Sequence, residues 1–154
     1  LKHAWLYIGL FLLVLPFVVG VSATEVFQAK YPLFRSGPGA DTQLWRFVVW
    51  ELSYGLQFVA LEFFFRGALL FGAVRVLGPW AIVAMVLPYT MIHFGKPGAE
   101  AVGAIFAGAA LGLIALRTRS IYAGMSIHIA VAWSMDLLAL WRKGKLGALL
   151  GFED

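Results

Sequence analysis

The chain alternates long apolar runs with short polar breaks, and the runs have the length of membrane helices rather than the period of strands. Ala4 to Val21 is uncharged behind Lys2 and His3, and Pro16 inside it predicts a kink. A cleaved signal peptide would need small residues near its end. This run is rich in large ones, and the pattern around Ser22 and Ala23 is weak, so a retained helix is expected. Ser22 to Asp41, with Pro32 and the Ser36-Gly37-Pro38-Gly39 cluster, reads as a loop outside the bilayer.

Asp41 or Thr42 is a good N-cap for a helix that continues past Arg66 to Gly78-Pro79. At about 1.5 Å per residue such a helix exceeds the bilayer core and must tilt, bend or project. Trp80 to Phe94 is a short third span, bent by Pro88 and ended by Gly95-Lys96-Pro97. The fourth, Ala99 to Leu116, carries a small-residue stripe of Ala101, Ala104, Gly108, Gly112 and Ala115, which predicts close packing on another helix. A tight basic turn, Arg117 to Ser120, leads into the last span, Ile121 to Leu140, and Arg142, Lys143 and Lys145 close it at an interface. No element is assigned to the tail from Leu146.

Composition agrees: 62% of the 154 residues are hydrophobic and 13% charged, more apolar surface than one soluble core hides. The expected fold is an all-α polytopic membrane helix bundle of about five spans, one membrane domain over residues 1–154. Because the sequence starts at Leu1 rather than methionine, it is also compatible with a fragment or processed form, and the span count is a minimum. The absence of cysteine excludes a disulfide framework, a zinc-thiolate site and a cysteine nucleophile. The net charge of +4 comes largely from residues flanking apolar runs, which suits membrane lipids as partners and offers no patch for nucleic acid. Basic residues fall on both sides of any simple alternation of spans, so no orientation follows.

Against this background a few polar residues at membrane depth stand out. Glu62 and Arg66 lie one turn apart within Leu61 to Gly67 and can pair on one helix face. Ionisable groups in such surroundings face a bundle interior or wet cavity and point to function; the competing reading is a structural ion pair. Glu51 shares their stripe but sits about 16 Å along the axis, too far for one site, with Tyr54 and Gln57 placed to satisfy it. His93 follows Tyr89 by one turn near a helix end, where the plain alternative is a bond to a backbone carbonyl. His128 lies near the middle of the last span. Asp136 follows two turns later and about 80° round, a supporting position. Glu100 suits its helix dipole and pairs with Lys96, and His3 reads as an interface anchor.

Glu62 with Arg66, His93 after Tyr89, and His128 recur on three separate helices, and in this order the chain resembles the CPBP family. These membrane-embedded proteases include the CAAX prenyl endopeptidases and bacterial proteins of bacteriocin processing and self-immunity. The family motif EExxxR is matched by Leu61 to Arg66 except at its first position. FxxxH is matched by Tyr89 to His93 with tyrosine first, and HxxxN begins at His128 but meets Ala132. The resemblance covers about residues 52–140.

The resemblance implies a glutamate-dependent intramembrane endopeptidase of the cell membrane that needs no cofactor or catalytic metal and cuts a membrane-associated or lipidated peptide. It implies Glu62, His93 and His128 as catalytic residues, with water activated between Glu62 and His93 and His128 donating to the oxyanion. Arg66, Tyr89 and Asp136 support them. Leu61 and Ala132 stand where the family has a glutamate and an asparagine, so the alternative is a weak or inactive member serving as an immunity or peptide-binding scaffold. One glutamate and two histidines also have the ligand types of a zinc site, and two histidines those of a haem site, but no H-E-x-x-H signature or matched depth selects either. The helices bearing Glu62, His93 and His128 are expected to converge on one cavity.

Overall fold

The computed structural model describes residues 4–35 and 43–151. The proposed N-cap at Asp41 or Thr42, the Ser36 to Gly39 turn and the His3 anchor lie outside them. The described residues form helices and connecting turns without strands: an all-α membrane helix bundle. Three helical stretches are long and apolar enough to cross a membrane, Leu44–Met91, Gly98–Thr118 and Tyr122–Arg142, and Trp5–Val21 is a shorter apolar helix. Large side chains such as Trp5, Phe63, Val76 and Phe106 point outward. In a water-soluble protein that would be costly; in a bilayer the same surface meets lipid.

The chain forms two compact units, Leu1–Gln57 with Ile129–Asp154, and Phe58–His128. In the first, α1 (Ala4–Val21) forms as its uninterrupted apolar run predicts. The segment after it is not all loop. Thr24 accepts a hydrogen bond from the Phe27 amide and so caps a short helix, α2 (Glu25–Lys30), whose Glu25 and Lys30 sit at the dipole ends that favour them. Phe27 and Tyr31 then pack with Val18, Met135 and Ala139. The basic residues expected only as interface anchors also make internal bonds. Arg142 donates through Nε to Ser22 Oγ at 2.7 Å and through Nη2 to Val19 O at 3.1 Å, and Lys143 donates to Tyr31 O at 2.7 Å. The unassigned tail includes α8 (Leu146–Leu150), whose Leu149 packs with Phe34, Phe47 and Leu140.

Helix α3 (Gln43–Glu62) begins in the first unit, where Trp133 donates to its Glu51 carbonyl at 2.9 Å. The Glu51 carboxyl is not satisfied by Tyr54 and Gln57 as expected. Glu51 is buried, and its neighbour is Asp136.

In the second unit the long helix continues past Glu62, as expected, but with a change of winding. Phe63–Leu70 is π-helical, and α4 (Phe71–Leu77) follows. The helix ends where Gly78 takes φ 55°, a value glycine adopts without a Cβ penalty, and a 3₁₀ turn, Gly78–Trp80, follows. α5 (Ala81–Met91) is shorter than the expected third span and leaves His93 in the turn beyond it. α6 (Gly98–Thr118) packs on α5 through the small stripe. A Cβ on Gly108 would lie 2.9 Å from the Tyr89 ring, and one on Gly112 would lie 2.9 Å from Met85. Arg119, left-handed at φ 52°, ends α6 before α7 (Tyr122–Arg142), which carries the chain back into the first unit.

Candidate active site

Glu62 is the last residue of α3, and the π-helical stretch starts at its next neighbour. A π-helical turn widens the helix and shifts the register of the side chains it carries, which is why such turns gather at functional sites. Here Arg66 remains within reach of the carboxylate it follows. Its Nη1 donates to Glu62 Oε1 at 2.9 Å, and both side chains are fully buried. Its guanidinium lies over the Tyr89 ring, 4.2 Å from the centroid, a cation–π contact that holds the charge where water is scarce.

The same oxygen has a second partner. His128, in the first part of α7, has Nδ1 at 3.0 Å from Glu62 Oε1. Its ring packs 4.4 Å from that of Phe58, one turn before Glu62 on α3. The other carboxyl oxygen, Oε2, is buried and has no hydrogen bond among the described residues. Oε1 is thus held from two sides while Oε2 keeps its lone pairs.

His93 joins the cluster differently. Its Nδ1 lies 2.8 Å from the carbonyl of Tyr89, and because a carbonyl only accepts, Nδ1 carries the proton. In neutral His93, therefore, Nε2 holds the lone pair. Burial, the largest influence, lowers the His93 pKa below the ordinary histidine value, and the Tyr89 carbonyl opposes that shift. Its ring centroid is 4.8 Å from that of Tyr89, and the Tyr89 ring is 6.1 Å from His128. The bond to a helix-end carbonyl, read from the sequence as the plain alternative, is present, and it leaves the second nitrogen unused by that bond.

Of the sequence candidates, Glu62, Arg66 and His128 are in direct contact, with Tyr89 under the Arg66 guanidinium and His93 attached through a tilted ring contact with Tyr89. Asp136 has backbone partners. It belongs to the other unit, where its oxygens accept from the backbone amides of Leu33 at 2.9 Å and Phe34 at 3.3 Å. Those amides follow α2 and have no helical partner, so the carboxylate holds the connecting segment. Glu62 bonds directly to His128. Lys96 and Glu100 pair as expected, at 3.4 Å. Leu61 packs beside the cluster of Phe65, Leu70 and Met85, and Ala132 is buried, so both departures from the motifs are apolar and filled.

One residue of the site was missed. A Cβ on Gly124 would stand 2.5 Å from Glu62 Oε2 and 3.3 Å from its Cδ, so the carboxylate lies against bare backbone. The available signal was a glycine one turn before His128 on the same helix face.

The family model described as Rce1-like, type II CAAX prenyl endopeptidase, matches residues 43–134, more than half of the chain. The chain belongs to that family. Neither the comparison with curated proteins nor that with solved structures found a match. This Rce1-like chain is thus a multi-pass membrane protein of a protease family. The matched segment contains Glu62, Arg66, Tyr89, His93, Gly124 and His128, and ends before Asp136.

Proposed function

We propose that the chain is an intramembrane endopeptidase in which Glu62 is the general base. The observation that carries this reading is the asymmetry of its carboxylate: Oε1 accepts from Arg66 and His128, and Oε2 is buried without a hydrogen bond among the described residues. A buried acceptor of that kind calls for a water or substrate group. In the proposed reaction Oε2 takes a proton from a water molecule, the oxygen attacks the scissile carbonyl, and the proton then passes to the leaving amine. Arg66 and His128 hold the carboxylate in place throughout.

Protonated His128 would donate Nδ1–H to Oε1 and offer Nε2–H to the oxyanion, which stabilises charge as it develops. Neutral His93 offers its Nε2 as a further acceptor for the attacking water. The family points to a prenylated or otherwise membrane-associated peptide as substrate, and the cell membrane is the proposed location. The family-like core is proposed to lie within residues 52–140 of one membrane domain.

A non-hydrolytic binding role is the second reading, favoured by Leu61, whose packing against the apolar cluster leaves no first motif glutamate. Both are tested by incubating liposome-reconstituted protein with a farnesylated peptide and its unprenylated counterpart, and following new peptide termini by mass spectrometry. Cleavage of the farnesylated peptide supports the protease; saturable binding without cleavage supports the scaffold.

A further inference from the structure

Gly124 and His128 lie one turn apart on α7 and both address Glu62, one at each carboxyl oxygen. Gly124 is the third residue of α7, and its place opposite the carboxylate has a steric reason. The reason on this face is space. Any side chain would put its first carbon 2.5 Å from Oε2, well inside van der Waals contact, and 3.3 Å from Cδ. The carboxylate has little freedom to move aside, because Arg66 and His128 grip its other oxygen and the whole side chain is buried. Gly72, by contrast, would meet nothing within 4 Å.

We propose that Gly124 is a positioning residue for the Glu62 base, a role that rests on the protease reading. Its missing side chain lets the carboxylate lie flat against α7, which brings Oε1 to His128 Nδ1 and fixes the direction in which Oε2 presents its lone pairs. A methyl group at 124 displaces Oε2, rotates the carboxylate, and breaks the alignment with His128, so it acts on the base itself. The loss therefore falls on turnover rather than on substrate affinity. Shortening the acid by one methylene retracts it from the new methyl, so the two changes compensate.

The test compares Gly124→Ala, Glu62→Asp and their combination with Gly72→Ala as control, all reconstituted with the farnesylated peptide. Gly124→Ala is expected to lower kcat at least tenfold with KM within about twofold, and Gly72→Ala to leave both unchanged. The double variant is expected to be more active than the product of the two single losses. Full kcat in Gly124→Ala, or strictly multiplicative losses, overturns the proposal.

The 15N shifts of His128 provide a readout independent of turnover. They are expected to change in Gly124→Ala and not in Gly72→Ala, and an unchanged His128 signal counts against the proposal. If wild-type protein does not cut the peptide, the protease reading fails on that result, whereas the contact between Gly124 and Glu62 is still decided by the histidine signal. Should Gly124→Ala not fold, the same substitution in a Glu62→Ala background is expected to fold, and its failure there would show that the methyl clashes with something else.

Discussion

Glu62 Oε1 and His128 Nδ1 are 3.0 Å apart, although 66 positions separate the two residues in the chain. The contact joins the end of α3 to the start of α7 and gives the histidine a partner that fixes its ring. With Arg66 on the same oxygen, the result is a three-residue network, fully buried at Glu62 and Arg66 and partly buried at His128, in which each member depends on the others.

Removing Arg66 is expected to be harmful out of proportion to its distance from any substrate. Arg66→Gln leaves the buried Glu62 carboxylate without its cation, a change that costs about 3–5 kcal/mol in comparable buried pairs. Thermal unfolding in detergent should show a lower midpoint, and Glu62→Gln/Arg66→Gln should recover much of it without restoring activity. An unshifted midpoint in Arg66→Gln would contradict the pairing.

Asp136→Asn tests what the bonds to the Leu33 and Phe34 amides contribute. Loss of the carboxylate weakens charge-assisted bonds to the Leu33 and Phe34 amides, worth about 1.5–3 kcal/mol each when the acceptor is ionised. The expected outcome is lower stability with turnover per folded molecule nearly unchanged. A large fall in kcat at full stability would return Asp136 to the catalytic machinery.

The contrast between these two acids shows what was legible in the sequence. Glu62, Arg66 and His128 could be read as candidates because each is an ionisable side chain amid apolar neighbours, and the helices bearing them followed from run length. Small residues at Gly108 and Gly112 likewise announced the α5–α6 contact. Asp136 carries the same signal, yet its partners are backbone amides some hundred positions away, and no local pattern reveals them. The π-helical winding after Glu62 was also hidden, because Phe63 to Leu70 is equally compatible with an ordinary helix. α2 was overlooked because its Thr24 cap lies in a polar segment that resembles a loop.

The pH dependence of stability should carry a contribution from His93. Burial lowers its folded pKa below the unfolded value of about 6.5, so the unfolded chain binds the proton more readily. Stability contributed by neutral His93 is present above about pH 6.5 and is lost as pH falls through the lower folded value. Thermal melts between neutral and mildly acidic pH should show this decline, reduced in His93→Gln. A decline of equal size in the variant would assign it to another group.

Activity is expected to survive strong chelators. In the proposed reaction the Glu62 carboxylate, whose Oε1 bonds to His128 Nδ1, takes the proton from water itself. Turnover of the farnesylated peptide before and after treatment with EDTA or phenanthroline checks this. Inactivation by chelation followed by recovery with zinc would contradict an acid–base scheme.

The most direct measurement is the turnover of the farnesylated peptide by reconstituted wild-type protein and by Glu62→Gln, with folding of both verified by their melting profiles. Glutamine keeps the size and much of the hydrogen bonding of the side chain but cannot take the proton. Glu62→Gln is expected to fold with kcat reduced by about a hundredfold or more, the scale of general-base loss. Turnover in Glu62→Gln equal to that of wild type would contradict it.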